Sequence, residues 1–381
     1  MTETNKQFLL ASRPQGQVSP DNFRLVERPV PEIGEGEVLV RNHYLSLDPY
    51  MRGRMDDAKS YAAPQKLDEV MQGGTVGEVV ASRNPAFAVG DKVLAMFGWQ
   101  LYGKSDGGLM MKLDTSRVPI QAYLGCVGMP GITGWYGLNR IIEPKAGETV
   151  VVSAASGAVG SVVGQLAKQK GCRVVGVAGG AEKCRAVTEE FGFDACVDYK
   201  AGNLRADLKA ATPDGIDGYF ENVGGEVLDA VLRRMNAFGR IAVCGLIAGY
   251  DGNPMPTHEF RSILINRLEV QGFIVSEHME LWPQARRELA QLVGGEVLSA
   301  PGGQVAAQLR LLVQARRVPL ADQVRAAVVE PGLGVDDLPA QQHLVCVLGL
   351  TLVLGRLRAE VDDTHQAGRV GAGGAGGVGG G

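Results

Sequence analysis

The sequence predicts a two-domain α/β protein, in which a small β-rich, barrel-like domain precedes a doubly wound parallel sheet. Short strand-like segments between Gly, Pro and Asp turns dominate residues 1–127, whereas strands and helices alternate over residues 128–290. Within the second region, residues 148–180 read as apolar strand, glycine turn, helix and second apolar strand. A length of 381 residues accommodates two such domains.

The first domain is predicted from short apolar segments that turn residues separate, a series typical of small barrels. Its clearest strands are expected at 37–40, 74–82 and 92–97. Between the first two of these strands, Pro49 and short turn residues are expected to place Tyr50 on a loop. Tyr50 is then either a functional side chain or a half-buried packing residue.

The second domain is predicted from the glycine turn at residues 154–160. Ala155, Gly157 and Gly160 take the positions of the small residues in a G-x-G-x-x-G dinucleotide-binding pattern. The first small residue permits a tight turn, the second permits close approach of a pyrophosphate, and the third permits helix–strand packing. The β-branched strand 149–152 precedes this turn, as the pattern requires.

A helix over residues 158–170 is expected to follow the turn. Its first residues, Ala158 and Val159, would present backbone amides and the positive end of the helix dipole to a phosphate. A buried strand at 172–177 then completes a βαβ unit. The alternative is a glycine-rich turn that binds nothing, but its place between two apolar strands favours dinucleotide binding.

The end of this second strand favours NADP over NAD. An NAD-binding fold usually carries Asp or Glu there for the ribose 2′-hydroxyl, but residues 178–181 contain no acid. Lys183 follows and supplies a cation for a 2′-phosphate. The alternative for Lys183 is a solvated lysine in the first turn of a helix.

Further strands and helices are expected to alternate up to residue 275, giving six strands with crossovers. Helices are expected at 182–191, 203–210, 226–236 and 259–266, and strands at 195–198, 218–222, 239–245 and 268–275. Asn222 and Cys244 fall at strand ends, where ligands bind in such sheets.

Charge and composition exclude several functional classes. A net charge of −4 with interspersed signs argues against nucleic acid as a partner. The six cysteines form no CxxC pair and the five histidines have no ligand spacing, so we expect reduced thiols, no metal site and a cytoplasmic protein. The N-terminus does not resemble a signal peptide, and no apolar run is long enough to span a membrane.

The C-terminal region departs from the rest of the chain in composition. From Pro283 onward there is no Lys, Ile, Met, Asn, Phe, Tyr or Trp, and the chain ends in glycine-rich sequence. We therefore expect residues 291–381 to form an atypical, partly disordered tail. A shifted reading frame in a GC-rich gene would explain this bias; a lineage-specific extension is the alternative.

Taken together, these motifs resemble the zinc-independent medium-chain dehydrogenases/reductases. The narrower resemblance is to the NADPH-dependent alkenal/one reductases, the group of prostaglandin reductases and bacterial curcumin reductases. It rests on LSLDPYMRGRM (45–55), VGMPGITGWYGL (127–138), AASGAVGSVVGQLAK (154–168), AGGAEKC (178–184), FENVGG (220–225) and FGRIAVCGLIAGY (238–250). The resemblance implies a GroES-like barrel, a Rossmann domain and an active-site cleft between them.

The resemblance also implies roles for single residues. Lys183 and Tyr199 would meet the adenosine 2′-phosphate. Asn222 would lie along the cofactor, Cys244 to Tyr250 would pass the nicotinamide, and Phe273 to Val275 would contact its carboxamide. The family's closing GxNxGKxxV strand has no match after residue 290, which puts closure of the first domain in question.

The implied activity is hydride transfer from NADPH to the β-carbon of an α,β-unsaturated ketone or aldehyde. Without a metal, hydroxyl groups must stabilise the developing enolate, and Tyr50 and Tyr250 are the expected donors, with Tyr61 a weaker third. Quinone reduction is a variant within the same class. NADPH binding with little turnover is the alternative from a different class. Relatives of this kind suggest a homodimer that pairs through an edge strand of the second sheet.

Overall fold

The first domain is built on an antiparallel sheet in the computed structural model, which describes residues 4–294. Its strands are β1 Thr4–Leu10, β2 Phe23–Pro29, β3 Val38–Leu45, β4 Thr75–Ser82, β5 Lys92–Ala95, β6 Tyr102–Ser105 and β7 Met111–Lys112. The first two pair with each other, and the other five form one sheet in the order β6-β3-β4-β5-β7. Strands β1, β2, β6 and β7 were not predicted from the sequence. The last two are only four and two residues long.

The segment around Tyr50 corrects one expectation, because Tyr50 begins a short helix instead of lying on a loop. This helix, α1, spans Tyr50–Met55. The backbone amide of Met51 donates to the carbonyl of Asp48, and that of Arg52 donates to the carbonyl of Pro49. Proline favours the start of a helix because its fixed φ suits the first turn. Six residues are too few to show a helical period in the sequence.

The second domain contains a parallel sheet of six strands, which confirms the predicted doubly wound fold. The strands are β8 Thr149–Ser153, β9 Arg173–Ala178, β10 Ala195–Asp198, β11 Ile216–Glu221, β12 Met235–Val243 and β13 Glu269–Gly272. They are ordered β10-β9-β8-β11-β12-β13, so the strand order reverses between β8 and β11. All five residues of β8 are buried, as expected for a central strand that is covered on both faces. A ligand is expected outside the carboxyl ends of the strands at this reversal.

Helices cover both faces of this sheet. They are α2 Met129–Tyr136, α3 Gly160–Gln169, α4 Ala181–Glu189, α5 Leu204–Ala211, α6 Gly225–Leu232, α7 Arg261–Ile265 and α8 Trp282–Gly294, and a π-helix over Gly137–Ile142 continues α2. The helix predicted at 226–236 is shorter than expected, since β12 already begins at Met235. That strand begins with MNAFG, whose mixed polarity hides its strand character from the sequence pattern.

One apolar cluster joins the two domains. It includes Tyr44 and Val76 of the first sheet together with Val150 and Phe220 of the second. Leu289 of α8 belongs to the same cluster, so the last described helix is packed on the core. The division at residue 127 stays a prediction, and the predicted tail lies outside the described residues beyond Gly294.

Candidate active site

The glycine turn leaves β8 through a strained residue that the pattern did not single out. Ala154 has a φ of +50°, which is uncommon for a residue with a Cβ atom. Ala155, which was expected to permit the tight turn, lies within it and is fully buried, and the amide of Gly157 donates to the carbonyl of Ala154 across it at 2.9 Å. A Cβ atom added to Gly160 would lie 2.5 Å from the carbonyl oxygen of Ala154, so only glycine lets α3 begin this close to the strand.

The partly exposed stretch of the turn that precedes α3 is Gly157 to Val159. These three residues are partly exposed, whereas Ala155 and Gly160 on either side are buried. Helix α3 begins at Gly160, so Ala158 and Val159 lie in the turn and not in the helix as predicted. A Cβ atom on Gly157 would lie 3.1 Å from the Ala154 carbonyl oxygen. The accessible backbone of this turn fits the close approach of a pyrophosphate.

Four residues cluster at the carboxyl ends of β9 and β10, at one end of the crevice that the strand ends form. We name this cluster the adenosine end; it consists of Gly179, Lys183, Tyr199 and Lys200. A Cβ atom added to Gly179 would lie 2.9 Å from both the Tyr199 ring and Cε of Lys200. Asp198 Oδ1 accepts hydrogen bonds from the amides of Gly180 at 2.7 Å and Lys200 at 3.0 Å. These bonds hold the loop after β10 against the loop after β9.

Two lysines share the adenosine end. Burial, and to a smaller extent the charge of Lys200, lowers the pKa of Lys183 to about 8. Burial also lowers the pKa of Lys200. An anion bound beside the two ammonium groups would favour their charged forms and oppose these shifts. Lys200 was not predicted, although its place beside Tyr199 at a strand end could have indicated it.

Between the two ends of the crevice, Ser153 and Glu221 join the carboxyl ends of β8 and β11. The hydroxyl of Ser153 donates to Glu221 Oε1 at 2.8 Å and accepts from the amide of Asn222 at 2.8 Å. The side-chain amide of Asn222 donates to the carbonyl of Ser153 at 2.8 Å. The amide of Val223 donates to Glu221 Oε1 at 2.6 Å. Asn222 is therefore held at the switch point, beside the predicted cofactor path.

Glu221 is fully buried in this network, and its role was not predicted from the sequence. Burial raises the pKa of its carboxyl group, although bonds from Val223 and Ser153 oppose the shift. Cys244 follows the neighbouring strand, and its amide donates to the carbonyl of Glu221 at 2.9 Å. Burial, with a contribution from Glu221, raises the pKa of the Cys244 thiol to about 12. That thiol is consequently neutral and a poor nucleophile.

The three predicted tyrosines lie at the other end of the crevice and come from both domains. We name this cluster the nicotinamide end; it consists of Tyr50, Tyr61, Tyr250 and Cys244. Arg54 lies over the rings of both Tyr50 and Tyr61, with its guanidinium carbon 5.8 and 5.7 Å from the two centroids. Tyr61 interacts electrostatically with both Tyr50 and Tyr250. A Cβ atom built on Gly245 would lie 3.4 Å from the hydroxyl of Tyr250, which places that hydroxyl beside the strand end that carries Cys244.

All of the shifts at this end favour the protonated forms. Burial, and then the charge of Asp48, raises the pKa of Tyr50 well above its usual value. Burial also raises the pKa of Tyr250, with a smaller contribution from Cys244. The carboxyl group of Asp48 has its pKa raised to about 6 by burial. At neutral pH both tyrosines therefore keep the proton that a hydrogen-bond donor requires.

An ion pair connects the helix of Tyr50 to the loop of Tyr250. Nε of Arg52 lies 3.4 Å from Oδ1 of Asp251, and only 7 % of Arg52 is exposed. The same guanidinium donates to Asp56 at 2.7 Å and to the carbonyl of Gly16 at 2.8 Å. A buried charge is costly without partners, and these contacts supply them. The contact with Asp251 is the one that joins α1 to the second domain.

Phe273 and Val275 lie beyond the end of β13 and are both buried. Phe273 packs on Phe220 edge to face, with ring centroids 6.2 Å apart. The carbonyl of Val275 already accepts from the Trp282 indole at 3.0 Å. Any contact from Val275 to a carboxamide would therefore come more readily from its amide than from its carbonyl.

Within residues 4–294, no group of three or more His, Cys, Asp and Glu side chains is arranged to hold a metal ion. The same part of the chain contains no helix that is both long and apolar enough to cross a membrane.

Comparisons with known proteins agree with this geometry. A family model described as the N-terminal domain of oxidoreductase matches residues 6–113, and one described as zinc-binding dehydrogenase matches residues 158–291. The chain is 50 % identical over 281 residues to the NADPH-dependent curcumin reductase of Escherichia coli strain K12, covering 72 % of this chain and 81 % of that protein. It is 41 % identical to the NADP(+)-dependent 2-alkenal reductase of Nicotiana tabacum, covering 77 % and 88 % of the two chains.

A solved structure is similar as well. The crystal structure of CurA from Vibrio vulnificus in complex with NADPH superimposes with a TM-score of 0.74 at 46 % identity, and the match covers 77 % of this chain and 89 % of CurA. The resemblance noted in the sequence motifs is thereby confirmed. The chain belongs to the medium-chain dehydrogenase/reductase family and groups there with the NADPH-dependent curcumin and alkenal reductases.

Proposed function

We propose that this protein uses NADPH to reduce the carbon–carbon double bond of α,β-unsaturated ketones and aldehydes. The observation that carries the proposal is the nicotinamide end, where Tyr50 and Tyr250 from different domains both interact with Tyr61 and both have raised pKa values. Relatives named as curcumin and 2-alkenal reductases support the same reaction class.

The residues fit the cofactor at three places. The accessible backbone of Gly157 to Val159 would hold the pyrophosphate. Lys183, Lys200 and Tyr199 would hold the 2′-phosphate, because the two lysines lack a nearby anion strong enough to restore their ordinary pKa values. When bound, NADPH supplies a hydride for the β-carbon of the substrate.

The protein's own contribution is to stabilise the negative charge that develops on the substrate's carbonyl oxygen. The hydroxyls of Tyr50 and Tyr250 donate hydrogen bonds to that oxygen, and burial keeps both phenols protonated. A proton then reaches the α-carbon from a tyrosine hydroxyl or from water. The ion pair of Arg52 with Asp251 fixes the position of the helix that carries Tyr50 relative to the loop that carries Tyr250.

The test is NADPH oxidation with a linear α,β-unsaturated ketone, followed by identification of the product. We expect the saturated ketone, with deuterium at the β-carbon when the NADPH is deuterated at its transferable position. An allylic alcohol would contradict the proposal, because it would mean that the carbonyl group is reduced.

Two other outcomes of the same assay are informative. Oxidation of NADPH with a benzoquinone but not with the enone would assign a quinone reductase, since the same hydroxyls can stabilise a quinone oxygen. Binding of NADPH, seen as a change in nicotinamide fluorescence, without oxidation by either substrate would assign an NADPH-binding protein with little turnover.

We further propose that the protein acts as a homodimer in the cytoplasm. All four residues of the terminal strand β13 are exposed, and Phe260, Leu264 and Ile265 expose apolar surface on the neighbouring segment. Pairing of this edge with a second copy would cover that surface. The described cysteines are free, as a reducing compartment keeps them. Light scattering of the wild type and of Leu264→Glu tests the dimer, and a monomeric wild type would contradict it.

A further inference from the structure

Two cysteines whose pairing the sequence does not suggest lie next to each other at the adenosine end. Cys184 lies in α4 and Cys196 lies in β10, and their Sγ atoms are 2.7 Å apart. Both side chains are partly exposed, whereas Cys126 and Cys172 are buried. Reduced thiols were expected from the sequence, because the six cysteines form no CxxC pair.

The two thiols have different roles. The thiol of Cys196 donates to the Sγ of Cys184. This bond lowers the pKa of Cys184 and, together with burial, raises the pKa of Cys196. Cys184 is therefore the sulfur that ionises first and attacks an oxidant, and Cys196 is the resolving thiol beside it.

The bridge would form across two elements that already hold one another. Asp198, two residues after Cys196, accepts from the amide of Gly180 at the start of α4. A disulfide has an S–S distance of about 2.05 Å, so the sulfurs need to approach by only a fraction of an ångström.

We propose that Cys184 and Cys196 are a reversible oxidation site, which closes to an intramolecular disulfide in the presence of a hydroperoxide and thereby weakens NADPH binding. The Cys184 thiolate attacks the peroxide oxygen, forms a sulfenic acid and releases hydroxide, in the case of hydrogen peroxide. The Cys196 sulfur then attacks the sulfenic sulfur, the S–O bond breaks and water leaves. The pair loses two electrons and two protons, and the peroxide is reduced to two molecules of water. A dithiol reverses the change by exchange.

The effect on the cofactor rests on the proposed 2′-phosphate pocket, whereas formation of the disulfide does not. Lys183 precedes Cys184, and Tyr199 lies three residues after Cys196, so the bridge joins the two segments that would hold the phosphate. Drawing the sulfurs together moves Lys183 relative to Tyr199. Because linkage is reciprocal, bound NADPH in turn shifts the equilibrium of the pair towards the reduced dithiol.

The first measurement is thiol mapping of the full chain. Protein treated with hydrogen peroxide is alkylated, digested and analysed by mass spectrometry, with and without a dithiol. We expect a peptide pair that links Cys184 to Cys196 and that the dithiol releases. Cys184→Ser should abolish the link, and Cys172→Ser, which removes a buried thiol, should leave it intact. Absence of this link in the oxidised wild type, or a predominant link to another cysteine, overturns the proposal.

The second measurement is the KM for NADPH before and after oxidation. We expect a several-fold increase in the wild type that the dithiol reverses, little change for NADH, and no change in Cys196→Ser. A mapped disulfide with an unchanged KM refutes the coupling to the cofactor. If Lys183→Ala also leaves the KM for NADPH unchanged, the proposed pocket is wrong, and the disulfide is then judged on the mapping alone.

Discussion

The adenosine end and the nicotinamide end of the crevice differ in the charge of their side chains and in the direction of the pKa shifts. At the adenosine end, Lys183 and Lys200 are partly exposed, and their pKa values are lowered, which favours the neutral amines. At the nicotinamide end, Tyr50, Tyr250 and Asp48 all have raised pKa values. The adenosine end has cationic groups whose charge an anion would compensate. The nicotinamide end has neutral hydroxyls in a low-dielectric environment. Because different residues are assigned to cofactor choice and to catalysis, a mutation is expected to affect one without the other.

The largest effect is expected from removing a donor at the nicotinamide end. Tyr250→Phe should lower kcat by about 10²–10³-fold, the usual cost of losing one hydrogen bond to a developing oxyanion. The KM for NADPH should change little, because the adenosine end is intact. Steady-state kinetics with an enone checks this, and Tyr50→Phe measures the second donor in the same way.

Two phenylalanine controls sharpen that result. Tyr61→Phe alters the exposed third tyrosine and should have a small effect. Tyr123→Phe removes a hydroxyl that donates to the Asp114 carbonyl, away from the crevice, and should have none on kcat. If Tyr50→Phe and Tyr250→Phe behave like these controls, the tyrosines only line the cleft.

The second prediction concerns the adenosine end. Lys183→Ala should weaken NADPH binding by one to two decades, since a charge-assisted contact contributes about 1.5–3 kcal/mol. The KM for NADH and the kcat at saturating NADPH should stay nearly constant. Lys200→Ala should act in the same direction. Equal losses for NADPH and NADH would contradict the assignment of the 2′-phosphate pocket.

A third prediction tests the buried carboxyl between the two ends. Glu221→Ala leaves the Ser153 hydroxyl and the Val223 amide without their acceptor, so it should lower the free energy of unfolding by about 1–3 kcal/mol. Urea unfolding measures this value. Glu221→Gln keeps an oxygen acceptor at the same place and should recover much of the loss. A stability unchanged by Glu221→Ala would mean that the network is not structural.

The pH dependence of cofactor binding should be smaller. Lys183 has a pKa lowered to about 8, so it is charged below that pH and loses its charge as the pH rises through it. The KM for NADPH should therefore rise above about pH 8, by up to about tenfold, because one charged contact is lost while Lys200 remains. The profile with NADH should be flat over this range. Lys183→Ala should remove the inflection, and an inflection that persists belongs to another group.

The smallest effect is expected from chelation. Exhaustive treatment with a chelator should leave kcat unchanged, because hydroxyl donors are assigned the role that a metal would otherwise fill. Loss of turnover that zinc restores would contradict the mechanism. The measurement separates the nicotinamide end of this protein from one built around a metal ion.

The sequence predicted what depends on local pattern. Gly157 and Gly160 have the spacing of the dinucleotide-binding pattern, and the burial of strands such as β8 followed from their apolar composition. The left-handed backbone of Ala154 was not predictable, because alanine carries no preference for that conformation. Contacts between distant segments were also missed.

Those missed contacts share a physical cause. One partner of Arg52 is Asp251 in the other domain. Lys200 approaches Lys183 because β9 and β10 are neighbours in the sheet. Such pairs are set by tertiary packing, which a single sequence does not display. Glu221 was missed for a related reason, since an acid at the end of an apolar strand shows its role only when Ser153 is beside it.

The ion pair between Arg52 and Asp251 has a consequence for evolution and for engineering. Each residue belongs to a different domain, so neither domain carries the full contact on its own. Exchange of one domain between related proteins would leave Nε of Arg52, or the carboxylate of Asp251, without this partner unless the incoming domain brings the matching charge. The two positions should therefore be inherited together, and a chimaera should be rescued by restoring the missing partner alone.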